Sequence, residues 1–141
     1  MSETTARPDT RPRKEFRNIT VPQIVRYSMP LPAKLSILHR ISGALLFLAL
    51  PIFLLPLFGS SVSSPEGFEQ FRQFAAHPLT RLVLLVLIWA YLHHFCAGIR
   101  YLILDLHIGI DKPQAGRSAG IVFIVSLALT ALFGLKLFGA F

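Results

Sequence analysis

The chain has 141 residues, 53% of them hydrophobic and 15% charged, with a formal net charge of +7. The apolar residues gather into three long runs without a formal charge, which excludes an ordinary soluble domain and points to an all-α membrane protein with three transmembrane helices. Residues 1–40 carry eight basic residues against three acidic ones, so the charge reads as a topology signal and not as a nucleic-acid surface.

In chain order, residues 1–20 form a polar, Arg/Pro-rich N-terminal arm, expected to be extended or disordered. Its acids (Glu3, Asp9, Glu15) count against a transit peptide, and no cleavable signal peptide precedes the first span. Residues 21–141 are expected to form a three-helix transmembrane anchor domain, with spans at about 35–58, 80–104 and 118–138. Pro30 and Pro32 are expected to hold off the first helix until Lys34. Pro51 and Pro56 should kink it. The stretch SSPEGFEQF reads as a cap followed by a short amphipathic helix between the first two spans.

The second helix is expected from about Leu79 to Leu106, followed by a return loop broken at Gly109 and Pro113. The third is rich in small residues suited to close helix contact: Ala119, Gly120, Ser126, Ala128, Ala131 and Gly134. Lys/Arg bias in the flanks puts the N-terminus in the cytoplasm and the C-terminus on the other side. The lone cysteine, Cys96, cannot form an intrachain disulfide, and no C-x-x-C-H motif for covalent haem attachment occurs.

Polar groups inside apolar helices are costly and usually functional. On the first helix Ser36, His39, Arg40 and Gly43 share one stripe, at helical spacing. On the second, His94, Gly98, Tyr101 and Asp105 form a stripe, with His93, Ala97 and Arg100 beside it. The two helices run antiparallel, so Arg40 and Arg100 should lie near the cytoplasmic boundary. His94 would lie about 9 Å deeper than Arg100, at 1.5 Å rise per residue. A neutral imidazole in a helix bundle can ligate haem iron, and a glycine one turn away lets a flat ring approach. Propionates need Arg, His or Tyr donors, and a quinone needs a donor to its carbonyls and a cation near its reduced form.

Plainer roles stand beside these. A membrane histidine can simply hydrogen-bond a neighbouring helix, and arginines commonly end spans. Trp89 and Tyr91 read as packing or interface-belt residues. His77 and His107 read as solvated, and Asp105 as a cap or an arginine partner. A proton relay through His93 and His94 lacks a carboxylate at depth.

The segments SILHRISG (residues 36–43), SSPEGFEQ (63–70) and the pattern HxxxGIRxLxxD (94–105) resemble the cytochrome b subunit of succinate dehydrogenase, the larger of its two membrane anchors. The similarity covers about residues 25–135. It implies a haem b shared with the smaller anchor subunit, each chain supplying one histidine, and His94 falls on the ligand position. Ser36 and Arg40 fall on the quinone-site serine and arginine. His39 and Arg40 match positions near the haem propionates, and Tyr101 stands where the family often has a histidine.

The resemblance further implies a flavoprotein subunit and an iron–sulfur subunit as partners. Electrons would pass from succinate to ubiquinone, with this chain as an anchor unable to oxidise succinate itself. The expected location is a bacterial cytoplasmic (inner) membrane. Fumarate reductase anchors and non-enzymatic membrane scaffolds are the alternative readings.

Overall fold

A computed structural model describes residues 20–139, and every regular element in that range is a helix. The N-terminal arm inferred for residues 1–20 falls outside the described residues except for Thr20. A short helix α1 (Val21–Arg26) opens the described chain, with Thr20 and Gln23 forming a reciprocal capping box. The first span begins as α2 (Leu31–Ala49), passes through a π-helical turn at Leu50–Leu54, and ends as α3 (Leu55–Ser63). Next come α4 (Pro65–Ala76), the second span α5 (Pro78–Asp105) and the third span α6 (Lys112–Leu137).

Two proline expectations need correction. The first span starts at Leu31, earlier than Lys34, with Pro30 as its N-cap and Pro32 within its first turn. Pro113 likewise sits inside the first turn of α6. The N–H groups of a helix's first turn have no intrahelical acceptor, so a proline there sacrifices nothing. Pro51 lies deeper in a helix and does cost a bond. The wider π turn around it absorbs the defect, and the helix continues to Ser63.

The cap expected at the outer loop is present. Ser64 Oγ accepts the Gly67 N–H at 3.0 Å, and α4 begins at Pro65. His77 performs the same task for α5, its Nδ1 accepting the Leu79 N–H at 3.3 Å. Between α5 and α6 the chain turns through His107 (φ 60°) and Gly109 (φ 74°). His107 is the only non-glycine residue with positive φ among the described residues.

Three helices are long and apolar enough to cross a membrane: Leu31–Ser63, Pro78–Asp105 and Lys112–Leu137. The second span packs against both others, and the interior is built largely from small side chains. Ala90 and Ala97 of α5 and Ala119, Ser126 and Gly134 of α6 are buried, so the backbones approach closely. Leu35, Ala97, Ala119 and Val122 form the apolar centre. Ala128 and Ala131, expected on the small-residue stripe, point outward instead. Large apolar side chains such as Phe47, Ile52 and Ile124 are mostly exposed, as expected for surfaces that face lipid or another membrane subunit.

Candidate functional site

His94 leaves α5 toward α2 and lies against Gly43. A Cβ on Gly43 would stand 2.7 Å from the Cε1 of His94, so the ring can sit this close only because that position has no side chain. The His94 Nδ1 is 3.0 Å from the backbone oxygen of His39. A carbonyl oxygen can only accept, so Nδ1 carries the proton and Nε2 keeps its lone pair. The fully buried Ser42 hydroxyl donates to the same oxygen at 2.9 Å and lies 3.3 Å from Nδ1.

The His39 ring stacks on that of His94, with centroids 4.1 Å apart and planes 11° from parallel. The ring of Tyr101 follows at 5.1 Å from His39. Gly98 faces the His39 edge, where a Cβ would stand 3.9 Å from Nε2. The Nε2 of His39 and the hydroxyl of Tyr101 are both buried without a hydrogen-bond partner among the described residues. Buried polar atoms in that condition are rare in native structures and call for an explanation.

These observations test whether the pocket suits a haem. A ligating histidine normally donates its other ring N–H to a carbonyl or carboxylate, which fixes tautomer and orientation. His94 has this arrangement, and two unsatisfied polar atoms lie beside it. The residues fit the group.

The structure divides the polar stripe expected on the first span. His39 and Gly43 turn toward α5. Ser36 is half-buried and Arg40 exposed, and no hydrogen bond joins either to the imidazole pair among the described residues. His93 turns the other way, fully buried between Trp89 (5.3 Å) and Phe123 (5.4 Å), with neither ring nitrogen hydrogen-bonded among the described residues. Arg100 is 6% exposed and is held by α6: Nε donates to Ser118 Oγ at 2.9 Å and Nη2 to the Ala115 carbonyl at 3.1 Å. It is thus a clamp between the second and third spans as well as an end marker. Asp105, expected as a cap or an arginine partner, is the exposed last residue of α5, beside the C-cap Leu106, and forms no ion pair among the described residues.

Ser42 is the functional neighbour that spacing alone missed. Its available signal was a hydroxyl three residues after His39, where Ser commonly bonds back to the preceding turn. The contact with Gly43 was also unforeseen: the sequence placed Gly43 on the stripe of Ser36, His39 and Arg40 without a partner on the second span.

Three membrane-length helices enclosing a cluster of imidazole and hydroxyl groups define a polytopic helical membrane protein with a polar site inside its bundle. Over residues 10–133 the sequence matches the succinate dehydrogenase/fumarate reductase transmembrane subunit family, and the chain belongs to that family. It is 36% identical to the succinate dehydrogenase cytochrome b556 subunit of Coxiella burnetii, over 79% of this chain and 89% of that one. The proteins of the same name from Rickettsia felis and Paracoccus denitrificans are each 30% identical, covering 80% and 79% of this chain and 87% and 85% of theirs. The chain is accordingly a membrane anchor of a succinate dehydrogenase, an oxidoreductase complex.

Proposed function

We propose that this chain is the cytochrome b anchor of a succinate:ubiquinone oxidoreductase, holding one side of a haem b and helping to form the quinone-reduction site. The observation that carries this reading is the hydrogen bond from His94 Nδ1 to the His39 carbonyl, which leaves Nε2 as a free lone pair beside Gly43. His94 would hold the haem iron through Nε2, while His39, Arg40 and Tyr101 would supply donors and charge for the propionates. When bound, haem b supplies a one-electron carrier inside the membrane. The smaller anchor subunit would supply a second histidine to the same haem, so the site would be complete only in the assembled complex.

Ser36 and Arg40 serve the quinone. The Ser36 hydroxyl donates to a quinone carbonyl, and the Arg40 guanidinium stabilises the negative charge that develops on the ring oxygens during reduction. The half-buried Ser36 and exposed Arg40 leave both groups accessible to a ligand lying against α2. Succinate oxidation belongs to the flavoprotein subunit, and electrons reach the membrane through the iron–sulfur subunit. The chain sits in a bacterial cytoplasmic (inner) membrane with its N-terminus in the cytoplasm. Residues 21–141 act as one three-span anchor domain, preceded by a polar arm over residues 1–20.

A reduced-minus-oxidised spectrum of the purified complex tests the ligand assignment. His94→Ala should remove or shift the b-type band, and His93→Ala should leave it in place. The opposite pattern would move the ligand to His93 and sink the assignment.

A further inference from the structure

A groove of about 530 Å³ runs between α5 and α6 on the flank of α5 facing away from His94. Ile103 lines it nine residues beyond His94, half a revolution around a helix of 3.6 residues per turn. Its walls are almost wholly apolar. Along α6 it extends from Gln114 to Val125, about 16 Å at 1.5 Å per residue, or roughly one leaflet of a hydrocarbon core.

The mouth of this groove is cationic. Arg117 is exposed there, and Arg100 forms part of the wall. The buried Arg100 guanidinium has only neutral acceptors, Ser118 Oγ and the Ala115 carbonyl, and no carboxylate pairs with it among the described residues. A cation taken out of water at a membrane boundary normally finds an anion. The exposed acids nearest in sequence, Asp105 and Asp111, line no part of the groove.

We propose that an anionic glycerophospholipid from the cytoplasmic leaflet occupies this groove. Its acyl chain lies along Ile99, Ile103, Ile121 and Val125, and its phosphate lies between Arg100 and Arg117. The chemistry selects this occupant: the depth matches one leaflet, the walls suit hydrocarbon, and the mouth supplies two guanidinium groups for a single phosphate-bearing head. A neutral quinone would leave the Arg100 charge unanswered.

The test uses the whole complex, purified in mild detergent and exchanged into an equal mixture of dioleoyl phosphatidylglycerol and dioleoyl phosphatidylcholine. Lipid retained by the complex is then counted by native mass spectrometry. The parent should hold phosphatidylglycerol in roughly fivefold or greater preference, the scale of one surface cation acting on an anionic lipid. Arg117→Gln should bring the two lipids toward equal retention. Ile121→Trp should fill the groove and remove this bound lipid whatever its headgroup, with helical circular dichroism unchanged. Val125→Phe, a smaller filling change, gives the same loss if the tryptophan variant does not assemble. Equal retention of both lipids by the parent overturns the proposal, as does a quinone held in their place. A complex that holds no lipid because a protein subunit covers the groove also overturns it.

Discussion

An imidazole buried in an apolar bundle is best prepared to ligate a metal when one nitrogen is committed elsewhere, which fixes the tautomer and aims the other nitrogen's lone pair. The His39 carbonyl commits Nδ1 of His94, and Gly43 makes the room for that contact. Adding one methyl at Gly43 would put carbon 2.7 Å from the Cε1 of His94, against a ring pinned by its own hydrogen bond. We therefore expect Gly43→Ala to displace the ring, lower haem content and alter the b-type band while the chain still inserts. A complex with full haem content and an unaltered spectrum would rule this out. Ser36 calls for a different measurement, because its assigned role concerns the quinone. Ser36→Ala should lower succinate–quinone activity and leave succinate oxidation by an artificial dye intact; equal loss of both would remove Ser36 from the quinone site.

At the scale of elements, long charge-free runs were enough to reveal the three spans, because backbone in hydrocarbon has no stable alternative to the helix at this length. Helix starts were misjudged at Pro32 and Pro113, where proline acts as a first-turn residue and not as a breaker. The partners of Ser42, Gly43 and Arg100 were not legible, since they depend on how α2, α5 and α6 slide and rotate against one another, and spacing along one helix carries no such register. His94 was legible as a face residue, and its assignment as ligand came from the family resemblance. One element has a pH-dependent feature outside the membrane. Hydrogen bonds from Arg72, and then from Gln73, hold the exposed Glu69 carboxyl on α4 below the ordinary carboxylate range. A lowered folded-state value means that this local stabilisation is present above the unfolded carboxylate range and is lost as pH falls through the lowered value. Circular dichroism of the complex should lose a small helical component in that acid window. Glu69→Gln should abolish the dependence, and its persistence would assign it to other groups.

For the molecule as a whole, the proposed orientation rests on the basic residues that flank the first span, and on that reading α4 should lie outside the cytoplasm. In a Cys96→Ser background, Glu66→Cys should react with an impermeant maleimide on intact cells. Lys34→Cys should react only once the membrane is opened. Reversed labelling would invert the topology and place Ser36 and Arg40 on the wrong side for the proposed iron–sulfur partner.

The bond between His94 and the His39 carbonyl joins positions 55 residues apart in the chain, across two separate spans. A slip of α2 by one residue would move its backbone about 1.5 Å along the axis and turn it by about 100°, removing both that acceptor and the clearance at Gly43. The ligand nitrogen is thus correctly presented only after the first two spans have docked in register. If His94 ligates haem as proposed, haem uptake becomes a proofreading step during membrane assembly, because a mispaired chain would present no competent ligand nitrogen. Pulsed haem addition during reassembly of the whole complex in detergent should show uptake lagging behind pairing of these spans and never preceding it.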